Sequence, residues 1–486
     1  MSSYDTAPPT TAPAALGGKI EQRSVGYIPA NERYGSPWNQ FTLWFGANLQ
    51  VTCLVTGALA FVFGGDVVWS IIGLFIGQLA GGCVMALHAA QGPRLGLPQM
   101  ISSRAQFGVY GAAIPLVLIV LMYLGFSASG TVLAGQATAH LFHAPEWTGI
   151  VVFGAVSAVF AIIGYDIIHK LGRWATVISS IAFIYLIYRF FVVADVNALL
   201  HINEFSLPSF LLAMALAASW QIAYGPYVAD YSRYLPVDTN PRAVFFACLG
   251  GSVLSSTIAM TFGVLLAAYV GDGFRHHEVE ALVSLGSNAF IASVIYLVIA
   301  LGKLCVNVLN TYGGFMSVST IWSGLRGKTE IPPQLRVFII VIMTAVAVTV
   351  AMWGRGNFLD AFSSFLLFLL TFFTPWSAIN LVDYYVLSKE RYDVPALSDP
   401  NGRYGKWNAA AIISFVLGIL IQLPFVDTAF YSGPLVERLG GTDISWIIGL
   451  IVTALLYLAL QPLDKRIIPP ETILPPAEPE PTEPPA

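Results

Sequence analysis

Largely apolar stretches of about 20 residues or more, long enough for a helix to cross the hydrocarbon core of a bilayer, recur from residue 39 to residue 462. Short polar joints separate them. Of the 486 residues 56% are hydrophobic and only 10% charged, against roughly 25% charged in an ordinary soluble domain. Lipid is therefore the solvent for most of the surface, and the chain reads as an all-α polytopic membrane protein. No length is left over for a soluble catalytic domain.

The apolar stretches place twelve spans at 39–63, 66–90, 104–138, 147–168, 173–194, 207–231, 243–270, 288–322, 335–354, 357–387, 407–430 and 442–462. Spans 3, 8 and 10 exceed the hydrocarbon thickness, an excess that tilting absorbs. The transporter-sized body is residues 38–465, between two tails. Residues 1–37 are polar and lack the apolar core and cleavage site of a secretory signal. Residues 466–486 form a Pro-rich acidic tail, of which 469–486 is expected to be disordered.

Orientation follows from the basic residues in the joints. With the N-terminus inside, all but five of the 23 Lys and Arg lie on the cytoplasmic side. The exceptions are Arg275, Arg355 and Arg438 in external joints and Arg189 and Lys303 within spans. Both termini are thus expected in the cytoplasm, with a plasma (inner) membrane as the location. The net charge of −4 gives no basic face for nucleic acid. The four cysteines, Cys53, Cys83, Cys248 and Cys305, lie in apolar runs without ligand spacing, so no metal site or cofactor is expected.

Three spans depart from simple apolar helices. Span 6 contains Trp220-Gln221-Ile222-Ala223-Tyr224-Gly225-Pro226, where Pro226 removes a backbone donor and Gly225 tolerates non-helical dihedrals. Span 1 carries Gly46-Ala47-Asn48-Leu49-Gln50-Val51-Thr52, and its amides must face protein or an aqueous cavity. Breaks in helices five apart fit a five-plus-five inverted repeat that holds its ligand at the midplane; a plain Pro kink and interhelical glue are the bland readings. Span 8 places Lys303, Asn307 and Asn310 on one helix face, with Lys303 a full charge deep in a span at about 2.5–3.5 kcal/mol on insertion scales. His88 has no obvious carboxylate partner in sequence and reads as a core-packing residue or a partner in a helix-helix hydrogen bond. Asp230 and Arg233 read as a gate or an interfacial ion pair.

Local motifs resemble the nucleobase:cation symporter-1 family, purine-cytosine permease branch. They are Ile20 to Pro29 before span 1, Leu43 to Asn48 within it, Gly96-Leu97-Pro98-Gln99-Met100 with Ser103 to Gly108 after span 2, and Gly111 and Pro115 entering span 3. Gly164-Tyr165 with His169 and Trp174, and Ala229 to Pro236, complete the set. The resemblance implies a LeuT-type fold, ten core helices in two inverted repeats plus two extra helices, with ligand held between spans 1, 3, 6 and 8. It implies a symporter of nucleobases such as cytosine or purines, and not an enzyme. Allantoin, hydantoin, a thiamine-like vitamin, or an amino acid or amine are alternative cargoes on the same fold.

Carried onto this chain, the resemblance puts the span 3 aromatic at Phe126 and its companion amide position at Gly130, which has no side chain to offer. The span 6 aromatic falls at Trp220 or Tyr224, and the span 8 amide at Asn310 or Asn307. Phe126 and Trp220 or Tyr224 would sandwich a flat base, while Asn307, Asn310 and Gln221 would read its edge; Asn48 and Gln50 line the site from span 1. Sodium-coupled relatives place hydroxyls on span 8 where this chain has Ala300 to Cys305 with Lys303. The expected coupling ion is therefore H+ rather than Na+, with the Lys303 ammonium in the cation position.

Overall fold

The computed structural model describes residues 26–163, 165–200, 204–326 and 332–475, apart from the side chains of 165–176 and 333. Residues 20–25 and Gly164, together with the side chains of His169 and Trp174, lie outside the described residues. Among those described, the chain is almost wholly helical, with one two-stranded hairpin. Among the described residues seven helices are long and apolar enough to cross a membrane, or eight if the bent pair in span 1 counts as one. One of the seven, Gln334–Leu387, is divided by a 3-10 turn at Arg355–Asn357. Shorter apolar helices occupy Val177–Val193, Ala409–Phe425 and Ser445–Ala459. Each of these helices overlaps a stretch read from the sequence, several running past its bounds and Gln334–Leu387 covering two, and the span numbers are kept below.

Span 1 is two helices, Pro37–Asn48 and Val51–Val62, bent by 62°. Pro37 opens the first at a position whose N–H has no intrahelical use. Gln50 is extended (φ −145°, ψ 157°), which ends the helical hydrogen-bond ladder. In span 6, Leu207–Ile222 and Gly225–Ser232 are separated at Ala223–Tyr224, yet they continue as one 26-residue span. This break is a local loosening, far milder than the one in span 1.

Packing explains several residues. Spans 1 and 7 lie so close that a Cβ on Gly57 would stand 2.1 Å from the Met260 carbonyl oxygen, and one on Gly263 would meet the Leu54 carbonyl. Only glycine permits that approach, the usual device for packing helices in lipid. Span 2 begins at Asp66, whose carboxylate caps the N–H groups of Val68 and Trp69 at 3.0 and 3.1 Å. Pro375 interrupts the ladder of span 10. The carbonyl of Thr371, four residues earlier, receives the Gln422 Nε2 of span 11 at 2.8 Å instead.

The structure revises several boundaries. Residues Gln99–Phe107 form a separate buried helix, and span 3 begins at Ala113 rather than 104. The cause is Gly108, at φ +84° and packed so tightly on the Lys406 backbone that no side chain would fit. Span 11 ends by Phe425, where Pro424 turns the chain into the hairpin Asp427–Thr428/Tyr431–Ser432. The tail expected to be disordered from 469 is instead docked as far as 475, with Ile473 bridged in parallel to Asp393.

Candidate functional site

The break in span 1 sets the centre of the site. Because residues 49–50 leave the helix, the Gln50 side chain turns back, and its Nε2 caps the Ala47 carbonyl at 3.0 Å. The Gln50 Oε1 then faces span 8, where Lys303 Nζ donates to it at 2.9 Å. Lys303 also donates to the Thr52 hydroxyl. Only 3% of Lys303 is exposed, so its amine sits against neutral oxygens at a helix break.

One turn along span 8, Asn307 Nδ2 donates to the Ser127 carbonyl at 3.0 Å and to Thr131 Oγ1 at 2.9 Å, both on span 3. The Thr131 hydroxyl spends its own proton on the Ser127 carbonyl at 2.7 Å, so it can only accept from Asn307. This fixes the amide orientation. Asn307 Oδ1 is left buried without a partner, as are Asn310 Nδ2 and Ser127 Oγ. Three buried polar atoms in want of partners on facing helices are what a polar ligand would satisfy. Gly130 is the reason Asn307 fits: a Cβ there would lie 2.3 Å from Asn307 Oδ1 and 3.1 Å from Lys303 Cε.

Beside these groups stands an aromatic wall. Phe126 meets Trp220 at 5.8 Å and Phe365 at 5.2 Å, both edge to face, and Trp220 meets Tyr224 at 6.1 Å in the same manner. The rings of Phe126 and Trp220 are therefore in contact and perpendicular. They form one wall here.

Two candidates turn out to be struts. Asn48 is fully buried; its Oδ1 accepts from Trp220 Nε1 at 2.7 Å and Tyr224 OH at 2.9 Å. Its Nδ2 serves the Trp44 carbonyl and both Ser252 and Ser255 of span 7. Gln221 points the opposite way, bonded to Gln78, Ser252 and Ser256, so it does not join Asn307 and Asn310 at a ligand edge. The residues the sequence reading passed over are Thr52, Ser127, Thr131 and Phe365. Ser127 and Thr131 had a signal: spaced i,i+4, they share a face with Gly130.

At the end of the bundle where the basic joints gather, Asp230 Oδ1 accepts the Gln99 backbone N–H at 2.9 Å, and Arg233 donates to the Gly26 carbonyl at 2.9 Å. His88 stacks on Trp376 with ring centroids 4.7 Å apart and bonds Ser377 and Gln99. Packing and hydrogen bonding between helices are the two roles read from the sequence, and the structure gives it both. At the opposite end, a cavity of about 230 Å³ is lined by Gln136, His140, Glu146, His276, His277 and Glu280. Next to it the short helix Glu278–Val283 buries Glu278. Burial pushes that carboxyl above its ordinary value, opposed by hydrogen bonds from the His276 backbone and Gln136.

Residues 27–449 match the family model described as permease for cytosine/purines, uracil, thiamine, allantoin. The chain belongs to this permease family. Like its relatives it is a multi-pass membrane transporter and not an enzyme. A putative purine-cytosine permease of Bacillus subtilis (strain 168), YxlA, is 41% identical over 91% of this chain and 96% of its own length. The purine-cytosine permease fcyB of Emericella nidulans is 24% identical over 92% and 89%. Among solved structures, the permease superimposes on inward-facing Mhp1 with a TM-score of 0.74 at 19% identity, covering 92% of this chain and 94% of that one. Mhp1 closed around bromovinylhydantoin gives 0.72 at 18%, covering 91% and 95%. The permease thus has the LeuT-type fold of Mhp1.

Proposed function

We propose that the permease imports nucleobases such as cytosine or purines by alternating access and is driven by protons. The observation that carries the coupling is Lys303, a buried ammonium spanning the break of span 1 through Gln50 and Thr52. Charge-assisted hydrogen bonds are roughly twice as strong as neutral ones. Protonated, Lys303 ties span 1 to span 8; releasing the proton weakens that tie and lets the two move apart. A bound metal cation would compete for the same oxygens, which is why H+ is favoured over Na+.

The cargo reading rests on the 41% identity to a putative purine-cytosine permease and on the unpaired Asn307 Oδ1 and Asn310 Nδ2. A base edge alternates donors and acceptors, and these two atoms offer it one of each. Phe126 and Trp220 supply the apolar wall against its ring. We read the framework as twelve spans, two inverted repeats of five plus two, supported by the breaks in spans 1 and 6. The basic end is read as cytoplasmic, with both termini there and the plasma (inner) membrane as the site.

Two more distant matches favour a second cargo class: an allantoin permease of Bacillus subtilis at 20% identity and a vitamin B6 transporter of Saccharomyces cerevisiae at 26%. Uptake of labelled cytosine in a permease-deficient host, challenged with adenine, hypoxanthine, allantoin, thiamine and amino acids, separates them. Cytosine uptake blocked by purines is the expected result; uptake blocked only by allantoin or a vitamin transfers the assignment. Replacing sodium with choline should leave uptake intact, and a protonophore should abolish it. The reverse pattern would sink proton coupling.

A further inference from the structure

The segment that follows span 12 is bound far more closely than a linker requires. Its anchor is Arg466, which donates through Nη2 to Asp383 Oδ2 at 2.5 Å and through Nε to Asp464 Oδ2 at 2.7 Å. It also donates to the carbonyl of Ala105. The Arg466 side chain is 6% exposed and that of Asp383 is fully buried. Asp383 accepts further bonds from Tyr392 OH at 2.6 Å, Tyr457 OH at 2.7 Å and Ser388 Oγ at 3.1 Å. Beyond Arg466, Ile473 pairs with the backbone of Tyr392 and Val394, each bond 2.9 Å long. Leu474 closes over the apolar cluster of Leu97, Ile101, Tyr392 and Leu397.

What this segment holds is the helix Gln99–Phe107. Ala105 is gripped directly, and Gln106 Nε2 donates to the same Tyr392 hydroxyl at 2.5 Å. The helix in turn joins elements that border the site. Its first N–H is on Asp230 in the inner half of span 6. Arg104 Nη2 donates to the Thr320 carbonyl at 3.2 Å and Ser323 Oγ at 3.1 Å at the end of span 8. Trp376 of span 10 donates to Ser103 Oγ at 3.2 Å. While this helix is seated, spans 6, 8 and 10 are fastened together at the basic end.

We propose that residues 464–475, locked by Arg466 on Asp383, act as a latch on the Gln99–Phe107 helix and set how readily the basic end of the permease opens. Opening that end requires spans 6 and 8 to part, so the helix that bonds both must lose one set of partners. The latch stabilises the seated position, and loosening it shifts the population towards the state open on that face. The proposal rests on alternating access but not on the cargo or the coupling ion.

The test is hydrogen–deuterium exchange on the purified permease without substrate, comparing the full chain with R466Q and with a deletion of residues 470–486. The deletion keeps Arg466, Asp383 and all the spanning helices. In both variants amide exchange should rise several-fold in Gln99–Phe107 and Gly225–Ser232 while Glu278–Val283, at the far end, stays protected. Unchanged exchange at the basic end in both variants overturns the latch. So does a uniform rise that also loosens Glu278–Val283 in both, since the segment would then be a general brace. A failure of nucleobase uptake leaves this readout untouched, so the two proposals fail separately.

Discussion

Lys303 Nζ of span 8 donates to Gln50 Oε1 at 2.9 Å across the break in span 1. The bond joins the buried amine of Lys303 to a side chain freed by the loss of helical geometry at residues 49–50. Removing the charge while keeping the length, as in Lys303→Met, should uncouple transport from its gradient. A charge-assisted bond contributes about 1.5–3 kcal/mol, so the accumulation ratio is expected to fall at least roughly tenfold. Exchange of internal for external substrate should persist. Normal accumulation by Lys303→Met would return the lysine to a purely structural role.

Gly130 offers a second, steric test. An alanine there would place its Cβ 2.3 Å from Asn307 Oδ1, and overpacking of this kind costs about 1–3 kcal/mol. Asn307 must swing away, so Gly130→Ala and Asn307→Ala should both weaken substrate affinity by roughly tenfold or more. Asn307→Ala should also lower the melting temperature modestly, because it removes the Nδ2 bonds to the Ser127 carbonyl and the Thr131 hydroxyl, each contributing about 0.5–1.5 kcal/mol, while the unpaired Oδ1 makes the loss of binding the larger effect. The check is a binding isotherm paired with a melting curve for each variant.

Asn48 is expected to behave in the opposite way. Its Oδ1 is the acceptor for both Trp220 Nε1 and Tyr224 OH, and each buried donor left unpaired costs about 1–3 kcal/mol. Asn48→Leu should lower the melting temperature of the solubilised protein by several degrees and reduce the amount reaching the membrane. Were it fully stable but unable to bind, Asn48 would belong with the ligand groups after all.

The raised carboxyl of Glu278 makes a prediction about pH. An acid held above its ordinary value of 4.5 binds more protons folded than unfolded, so stability falls as pH rises through that interval. Below about 4.5 both states are protonated and nothing is lost. The melting temperature of Glu278→Gln minus that of the parent should therefore grow as pH climbs above 4.5, then level off. A difference that is flat or shrinks with pH would mean that the hydrogen bonds from His276 and Gln136 outweigh burial.

Much of this molecule could be read before any tertiary structure. Solvent choice is a local property: hydrocarbon admits only apolar side chains on hydrogen-bonded helices, so the spans announce themselves by composition. The breaks were equally legible at Pro226 and at the amides of span 1, because a residue that cannot continue a helix says so in its own chemistry. Lys303 stood out because an unpaired charge in a span is costly.

What the sequence could not decide is where those side chains point and which are already satisfied. Asn48, Gln50 and Gln221 are the same kind of residue in the same kind of place. Only the packing of spans 2, 6 and 7 turns Asn48 and Gln221 into saturated struts and leaves Gln50 to meet Lys303. Gly130 looked like a missing amide until its empty volume proved to be filled by Asn307 from span 8. The acidic Pro-rich tail looked unstructured, since composition predicts order only through burial within a segment. The partners that order residues 464–475 are Asp383 and Ala105, brought to it from spans and joints far away in the chain. Helix and solvent are properties of neighbours in sequence; hydrogen-bond satisfaction is a property of neighbours in space, and that is where this permease keeps its site.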